Sequence, residues 1–573
     1  MLNYLYIIGE LILLVGLFVY VLYNIFSKRE VILTHIVRYK LLTSSVINLL
    51  SLLDGSVNLY KKSWFYFLGK FLSQYKFFSF IKNYLSEKNS LFYIGFLFLF
   101  VGFIYAYQTF IFYSYVTSVD INPYLNNRLL FFNGSYVVDL FSFFLKSIIC
   151  FLAFFFLVIC HHVSFFWKFY KYELGYFVYL FLFSMIVLLS ANDFIFTFFS
   201  LEIQALSAII LVSFEVTFRK SIEAGFKYFL VNGILSIISA LVICIVYAMY
   251  GTVFFEELYN LTVSSVKFNQ GVIDYSFMFS MIIFTFYILT KLGIFPLYSW
   301  LADVYEGSPL LITAFLATIS KIGLLGLLIR LSFNVFNTFF GEWSDFFMYI
   351  ALISMLVTSI GALFQTNLKR FLGYTSLVNM SFMIAILTVG ELYAFGYSIY
   401  FMCIYFFSSL VLFLFFLGVV YKERINDDQK WEDIESNHII NLKDMQGLFK
   451  SNKLISFSLL ISVLNLIGMP PLPFFVAKYN MFEAFIDNGL FLTALLFLVS
   501  NLIGVFYYLR PIKILFFDRS INTKIFMFES RKLAILFYFG VIILVILGIK
   551  PYIVISFVEF CIEIVIRLFN LPY

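Results

Sequence analysis

Residues 275–300 read YSFMFSMIIFTFYILTKLGIFPLYSW. The stretch is long enough to cross a membrane as a helix, which takes about 20 residues, and its single charge is Lys291. A charge near the centre of a membrane helix costs about 2.5 to 3.5 kcal/mol and usually persists only where it serves transport or pairs with another group. Pro296 removes a backbone hydrogen bond shortly after the lysine. The stretch therefore predicts a membrane helix that breaks next to a buried charge.

The rest of the chain has the same character. It contains 573 residues, of which 63% are hydrophobic and 12% charged, and its mean hydropathy is +0.98. A soluble chain of this length would divide into domains with polar surfaces. Apolar runs of membrane length instead follow one another and predict an all-α polytopic membrane protein with about 14 transmembrane helices. We place these helices at 4–26, 91–115, 137–160, 174–192, 194–214, 222–250, 275–300, 308–333, 345–366, 371–392, 394–420, 454–484, 488–514 and 533–549.

We divide the chain into six regions. The first transmembrane helix, in 1–26, is too long for a signal-peptide core, so we expect it to be retained. Residues 27–90 form a basic insertion without a clean span, which we expect to lie at the membrane surface or to contact another subunit. The remaining regions are 91–160 with helices 2–3, 161–333 with helices 4–8, 334–514 with helices 9–13, and 515–573 with the last helix and an interfacial segment.

Lysine and arginine gather in alternate loops. The loops after odd-numbered helices carry pairs such as Arg219 and Lys220 or Lys369 and Arg370, whereas the other loops hold few. The positive-inside rule places the basic loops on the negative side of the membrane. The 81 phenylalanines and 41 tyrosines, which have AT-rich codons, indicate an organelle-encoded chain. We therefore predict a protein of the mitochondrial inner membrane with its basic loops in the matrix and its amino terminus in the intermembrane space.

Four further lone charges interrupt apolar runs: Glu202, Lys227, Lys321 and Lys478. Lys478 follows GMPPLP at 468–473, which cannot form continuous α-helix. Irregular backbone at membrane depth is tolerated only when it is buried in protein or lines a hydrated cavity. Two interrupted helices, each with its own lysine, predict that helices 7 and 12 are discontinuous and that helices 4–8 and 9–13 are inverted repeats.

A series of buried titratable groups favours a proton relay, because a proton that arrives at one site changes the protonation of its neighbours. Simpler interpretations remain open. Glu202 could belong to one fixed structural pair, Lys478 could extend to the membrane interface, and Lys227 lies near a helix start. The sequence has no phosphate-binding Gly-Lys-Ser/Thr loop and no dinucleotide motif, so the energy for transport must come from an ion gradient or a partner subunit.

Weaker candidates are charges that we expect to serve packing, interfacial or partner contacts: Glu10, Asp139, Lys146 and Arg330. Asp303 and Glu306 form an acidic turn with either a helix-starting or a functional role. The five cysteines and four histidines show none of the spacings that metal sites use, and we predict no bound metal or cofactor in this chain.

Six short runs carry a family resemblance: LEIQ at 201–204, EAGFKYF at 223–229, KLGIFP at 291–296, DVYEGSP at 303–309, TAFLAT at 313–318 and QTNLKR at 365–370. Over about residues 90–549 the chain resembles the antiporter-like membrane subunits of the proton-pumping NADH:quinone oxidoreductase, respiratory complex I. The DVYEG turn is similar to subunit 2 rather than to subunits 4 and 5. Leu297-Tyr298 stands where that family commonly has a histidine after the proline, which puts a proton step through imidazole in doubt.

The resemblance implies roles for the lone charges. Glu202 and Lys291 would act as a coupled ion pair, Lys321 as the relay beyond it, and Lys478 as the distal site, and Lys227 matches another membrane lysine of the family. It also implies that the chain binds no redox cofactor, that NAD, FMN, iron–sulfur clusters and ubiquinone bind in partner subunits, and that the partners are other complex I membrane subunits. The competing hypothesis is a component of a stand-alone monovalent cation/proton antiporter, which the same fold would permit. A purely structural scaffold would leave the buried charges unexplained.

Overall fold

The structure is a computed structural model that describes residues 6–20, 90–118, 129–167, 172–268, 275–334, 339–424, 437–518 and 523–569. Nearly all of the predicted basic insertion at 27–90 lies outside the described residues. The chain is helical over most of the described length. Its helices are α1 Ile8–Tyr20, α2 Ser90–Ser118, α3 Leu140–Trp167, α4 Tyr172–Leu189, α5 Phe194–Val212, α6 Arg219–Tyr250, α7 Phe255–Phe268, α8 Tyr275–Leu292, α9 Ser299–Gly307, α10 Leu310–Thr318, α11 Ser320–Asn334, α12 Phe340–Phe364, α13 Leu368–Leu387, α14 Leu392–Gly418, α15 Leu448–Ser451, α16 Lys453–Ile467, α17 Pro473–Asp487, α18 Phe491–Phe516, α19 Arg531–Ile549 and α20 Pro551–Phe569.

The predicted all-α polytopic class is confirmed. Among the described residues, 11 helical segments are long and apolar enough to cross a membrane, with α10 and α11 counted as one. Three shorter apolar helices, α1, α4 and α16, account for the remaining predicted spans. Helix α7 was not predicted, because its acidic first turn, with Glu256 and Glu257, resembles a polar loop in sequence. Helix α20 coincides with the predicted interfacial segment and packs on α14, where Gly396 allows Ile562 to approach closely.

The two predicted helix breaks are present. Helix α8 ends at Leu292, and Gly293 follows with a φ of +80°, a left-handed conformation that favours glycine. Helix α16 ends at Ile467 and is followed by Gly468, whose φ is +86°. Helix α17 then begins at Pro473, where the missing N–H is not needed by the helix. Glycine and proline chemistry thus interrupts both helices where the sequence predicts.

A third and much milder break, one residue wide, lies at Ile319 between α10 and α11 and was not predicted; Ile319 itself keeps helical dihedral angles, with φ −78° and ψ −38°. The hydroxyl of Ser320 donates to the carbonyl of Leu316 at 2.6 Å, a contact that bends helices. Side chains from two other helices also bind carbonyls near the break: Tyr305 donates to Leu316 at 2.9 Å, and Gln204 donates to Ser320 at 3.2 Å. The break directly precedes Lys321 and is held by contacts that are distant in sequence.

Loops meet at the two ends of the bundle as the alternation requires. At one end, the antiparallel strands β1 Leu129–Phe131 and β2 Tyr136–Val138 contact the loop after α4, with Val137 N donating to Ser190 O at 2.8 Å. At the other end, β3 Val419–Arg424 pairs with β4 Asn437–His438 and with β5 Thr523–Phe528 in the order β4-β3-β5. Those strands join loops that were both predicted on the basic side. Which membrane side each end faces stays a prediction.

Candidate functional site

Lys291 lies in the last turn of α8, at the first helix break. Its Nζ donates to the backbone carbonyl of Leu201 on α5 at 3.3 Å and lies 4.9 Å from the ring centroid of Tyr287. Glu202 is the next residue on α5, and its charge interacts with that of Lys291. The two side chains do not form a direct ion pair within 4.0 Å, and Glu202 Oε1 is buried without a hydrogen-bond partner in the described structure. Glu202 and Lys291, the predicted partners, are therefore neighbours that do not form a direct salt bridge.

Lys321 lies just after the third break and is 2% exposed. Its Nζ donates to the hydroxyl of Ser376 on α13 at 3.0 Å and lies 5.9 Å from the ring centroid of Tyr305. Among the described residues, no carboxylate lies within ion-pair distance of Lys321. A buried ammonium that lacks a fixed counter-ion is sensitive to the charge of its surroundings.

A small cavity joins these two lysines. Its volume is about 30 Å³, enough for one or two water molecules. Helices α5, α6, α8, α9, α10 and α11 contribute lining residues, among them Gln204, Tyr228, Lys291, Trp300, Val304, Tyr305, Ser320 and Lys321. A water-filled cavity of this kind can carry hydrogen bonds between groups that do not touch. The fold thus brings Lys291 and Lys321 to one small cavity.

Lys478 lies at the other predicted break. Its Nζ donates to the last carbonyls of α16, those of Leu466 at 3.3 Å and Ile467 at 2.9 Å, where the helix dipole favours a cation. The alkyl chain of Lys478 packs against Gly468. A Cβ added at Gly468 would come 3.0 Å from Lys478 Cδ, so glycine makes room for the lysine. The lysine is held at the break instead of extending along α17 to the end of the helix.

Buried polar side chains lie between the cavity and this second break. Tyr405 on α14 lies beside Ser376, the partner of Lys321. One turn further along α14, Ser408 accepts a 2.7 Å hydrogen bond from Asn465 on α16. The amide oxygen of Asn465 accepts from the backbone N–H of Phe474 at 3.3 Å, close to Lys478 on α17. These residues were not predicted from the sequence, although hydroxyl and amide groups within apolar helices were a usable signal.

Lys227 belongs to a different, more exposed group. Its Nζ lies 3.1 Å from Asp303 and 3.1 Å from Glu223, and its side chain is 42% exposed. Arg370 on α13 pairs with Asp303 at 2.6 Å and with Glu306 at 3.1 Å. Helix α9 therefore presents its acidic residues to α6 and α13 while Trp300 and Val304 line the cavity. The ion pairs of Asp303 and Glu306 thus hold α9 against α6 and α13, next to the cavity that Lys291 and Lys321 line.

The weaker candidates form two buried ion pairs. Lys146 lies 2.6 Å from Glu10, and Arg330 lies 2.9 Å from Asp139. Each pair joins helices that are distant in sequence, α1 with α3 and α3 with α11. The sequence named all four residues without predicting which of them pair.

Known proteins match most of this architecture. The family described as NADH:quinone oxidoreductase/Mrp antiporter, TM, matches residues 191–504. NADH-quinone oxidoreductase subunit N from Pelagibacter ubique is 31% identical over 398 residues, which cover 70% of this chain and 80% of that protein. The corresponding subunit from Paramagnetospirillum magneticum is 29% identical over 404 residues, covering 69% and 78%.

Solved structures share the fold at lower identity. A chain of the respiratory complex I from Thermus thermophilus with bound aureothin aligns with a TM-score of 0.61 at 18% identity, covering 82% of this chain and 97% of that one. A chain of the Mrp complex from Dietzia aligns with a TM-score of 0.65 at 15% identity, covering 86% and 95%. With the family match and the subunit N relatives, the protein belongs to the antiporter-like membrane subunits of respiratory complex I.

Proposed function

We propose that this chain is a core membrane subunit of a proton-pumping NADH:ubiquinone oxidoreductase and moves protons through Glu202, Lys291, Lys321 and Lys478. The observation that carries the proposal is the cavity shared by Lys291 and Lys321. Lys291 lies beside the helix break at Gly293, and Lys321 lies beside the one-residue irregularity at Ile319. A purely structural lysine would be paired with a carboxylate, because an unpaired buried charge is costly. Here the cavity and the neutral partner Ser376 favour reversible protonation instead.

The first part of the relay lies around the cavity. A proton on Lys291 stabilises the negative charge of Glu202, and its loss leaves that carboxylate free to take a proton. Water in the cavity would carry the proton between Lys291 and Lys321. Lys227 takes no direct part in this transfer and, through Asp303, holds α9 in place over the cavity.

The second part leads from Lys321 to Lys478. Ser376 and Tyr405 offer hydroxyl groups next to Lys321, and Ser408 and Asn465 continue the polar row to the second break. Hydroxyl groups can donate and accept at once, so they can pass a proton or orient water that does. Lys478 receives the proton where the carbonyls of α16 stabilise its charge.

Electron transfer supplies the energy elsewhere in the assembly. We assign NAD, FMN, iron–sulfur clusters and ubiquinone to partner subunits, and we propose that other complex I membrane subunits flank this chain in the lipid bilayer. The subunit N relatives are bacterial, and the mitochondrial inner membrane is proposed from the composition and the basic loops.

A component of a stand-alone monovalent cation/proton antiporter is the second candidate. The fold shared with a chain of the Mrp complex supports it, although at lower sequence identity than the subunit N relatives. Ion selectivity would then be the property to measure.

Native electrophoresis of mildly solubilised membranes, with staining for NADH dehydrogenase activity and peptide identification of this chain, separates the two candidates. The complex I proposal expects the chain in the active band. Its presence in a smaller, inactive complex would overturn that proposal and favour the antiporter.

A further inference from the structure

A second cluster of titratable groups lies among the first three helices. Lys146 Nζ is 2.6 Å from Glu10 Oε1, and the hydroxyl of Tyr136 donates to the same carboxylate oxygen at 2.6 Å. Lys146 also donates to the hydroxyl of Tyr136 at 2.8 Å. All three side chains are buried. The proton relay described above does not use any of them.

The other oxygen of Glu10 accepts neither of these two hydrogen bonds. Glu10 Oε2 and the hydroxyl of Tyr105 are both buried, and neither has a hydrogen-bond partner in the described structure. The Tyr105 ring packs on the backbone of α1 at Gly9, where an added Cβ would come 2.5 Å from the ring, and this contact holds it beside Glu10. One carboxylate oxygen therefore accepts two hydrogen bonds, whereas the other has no hydrogen bond of normal geometry among the described residues and belongs to a carboxylate that interacts with the nearby Tyr105 hydroxyl.

A contact that only holds helices together does not require a buried ion pair such as that of Glu10 and Lys146. Apolar residues of similar volume hold helices together as well as a buried ion pair does, and often better, because the pair pays for desolvation. A charged pair inside a membrane bundle is accordingly a sign of function. A proton bound at Oε2 would neutralise the carboxylate and leave both hydrogen bonds to Oε1 in place.

A second ion pair links this cluster to the relay helix. Asp139 immediately precedes α3, the helix that carries Lys146, and its carboxylate contacts Arg330 at 2.9 Å. Arg330 lies on α11, which also carries Lys321. The charges of Asp139 and Arg330 act on Lys146, so a change of charge at Glu10 reaches α11 through adjacent buried charges.

We propose that Glu10 and its neighbours Tyr105, Tyr136 and Lys146 form a second proton-binding site, in which Glu10 Oε2 takes up and releases one proton during turnover. Uptake converts the carboxylate to a carboxylic acid, and release restores it, with no other bond made or broken. This proposal rests on the proposed proton-pumping function. The titratable or charged groups of the site and its surroundings are Glu10 on α1, Tyr105 on α2, Tyr136 on β2, Asp139 just before α3, Lys146 and Cys150 on α3, and Arg330 on α11.

Infrared difference spectroscopy of the intact complex in its membrane tests the site directly. Spectra recorded with and without NADH should contain a carbonyl band of a protonated carboxylic acid that shifts in deuterated water. We expect Glu10→Gln to abolish this band and Glu391→Gln, at an exposed carboxylate before α14, to preserve it. A band that is unchanged in Glu10→Gln would overturn the proposal.

A paired variant guards against loss of folding. Glu10→Leu combined with Lys146→Leu removes both charges together, so no unpaired charge stays buried. We expect this variant to assemble and to pump fewer protons per electron than the natural protein. Normal pumping by the assembled variant would show that the cluster is only structural and would overturn the proposal. Lys321→Met tests the relay separately, since normal pumping in that variant would overturn the proposed function and leave the infrared assignment of Glu10 intact.

Discussion

Lys321 and Ser376 face each other across α11 and α13, with Nζ donating to Oγ at 3.0 Å. A neutral hydroxyl stabilises the ammonium group without fixing its charge as a carboxylate would. The charge of Lys321 therefore depends on other groups around it, among them Lys291, which lines the same cavity. In the proposed relay, this arrangement would let Lys321 respond to a proton that arrives nearby.

Replacement of Ser376 by alanine should slow proton transfer through Lys321. A hydrogen bond to a charged group contributes about 1.5–3 kcal/mol, so we expect a rate roughly 10- to 150-fold lower in the reconstituted complex, measured with a pH-sensitive dye. Ser381→Ala is the matched control, because that buried hydroxyl donates to the backbone of its own helix, at Val378. Equal rates in the two variants would remove Ser376 from the pathway.

Replacement of Lys291 by methionine should lower both proton pumping and the coupled reduction of quinone, while assembly stays largely intact. Methionine fills a similar volume but cannot carry a proton, and Glu202 loses the charge that stabilises it. Pumping and quinone reduction would be measured on purified complex that contains the variant. Lys453→Met, at an exposed lysine that begins α16, should leave both rates unchanged. Normal pumping by assembled Lys291→Met would contradict the relay assignment.

The sequence predicts those features of the fold that arise locally. The spans follow from apolar runs, and the breaks at Gly293 and Gly468 follow from glycine and nearby proline. The break at Ile319 could not be predicted, because Gln204 and Tyr305 hold it from helices elsewhere in the bundle.

The candidate site shows the same division. Its lysines stand out in sequence because they are charges in apolar runs, and their types alone suggest a relay. Their grouping is a tertiary property: Lys291 and Lys321 share a cavity, whereas Lys227 pairs with Asp303 at a more exposed position. The polar row that includes Asn465 was missed because single amides and hydroxyls are common in helices and acquire meaning only when they align.

Reversal of the charge of Asp303 should loosen α9. Its pair with Arg370 is partly exposed, at 31% and 38%, so the pair contributes only about 0.5–1 kcal/mol and weakens as salt is raised. We expect Asp303→Arg to lower the thermal stability and pumping rate of the complex, with the natural protein also losing rate at high salt.

The double variant Asp303→Arg with Arg370→Asp provides the control for this pair. It restores opposite charges across the same contact, and we expect it to recover part of the stability lost in Asp303→Arg, as measured by thermal denaturation of the complex. No recovery would mean that the contact between Asp303 and Arg370 matters less than their other pairs, that of Asp303 with Lys227 and that of Arg370 with Glu306.

Replacement of Gly468 by alanine should displace Lys478 from the carbonyls of α16. Two effects add at this position: alanine is strained at a φ of +86°, by about 1–2 kcal/mol, and its Cβ would meet the lysine side chain at 3.0 Å. Gly489→Ala separates them, because Gly489 also has a left-handed φ, +70°, but an added Cβ there meets nothing within 4 Å. Both variants should lose stability, and only Gly468→Ala should also pump more slowly per assembled complex. Equal pumping in the two would show that the position of Lys478 at the break does not matter for proton transfer.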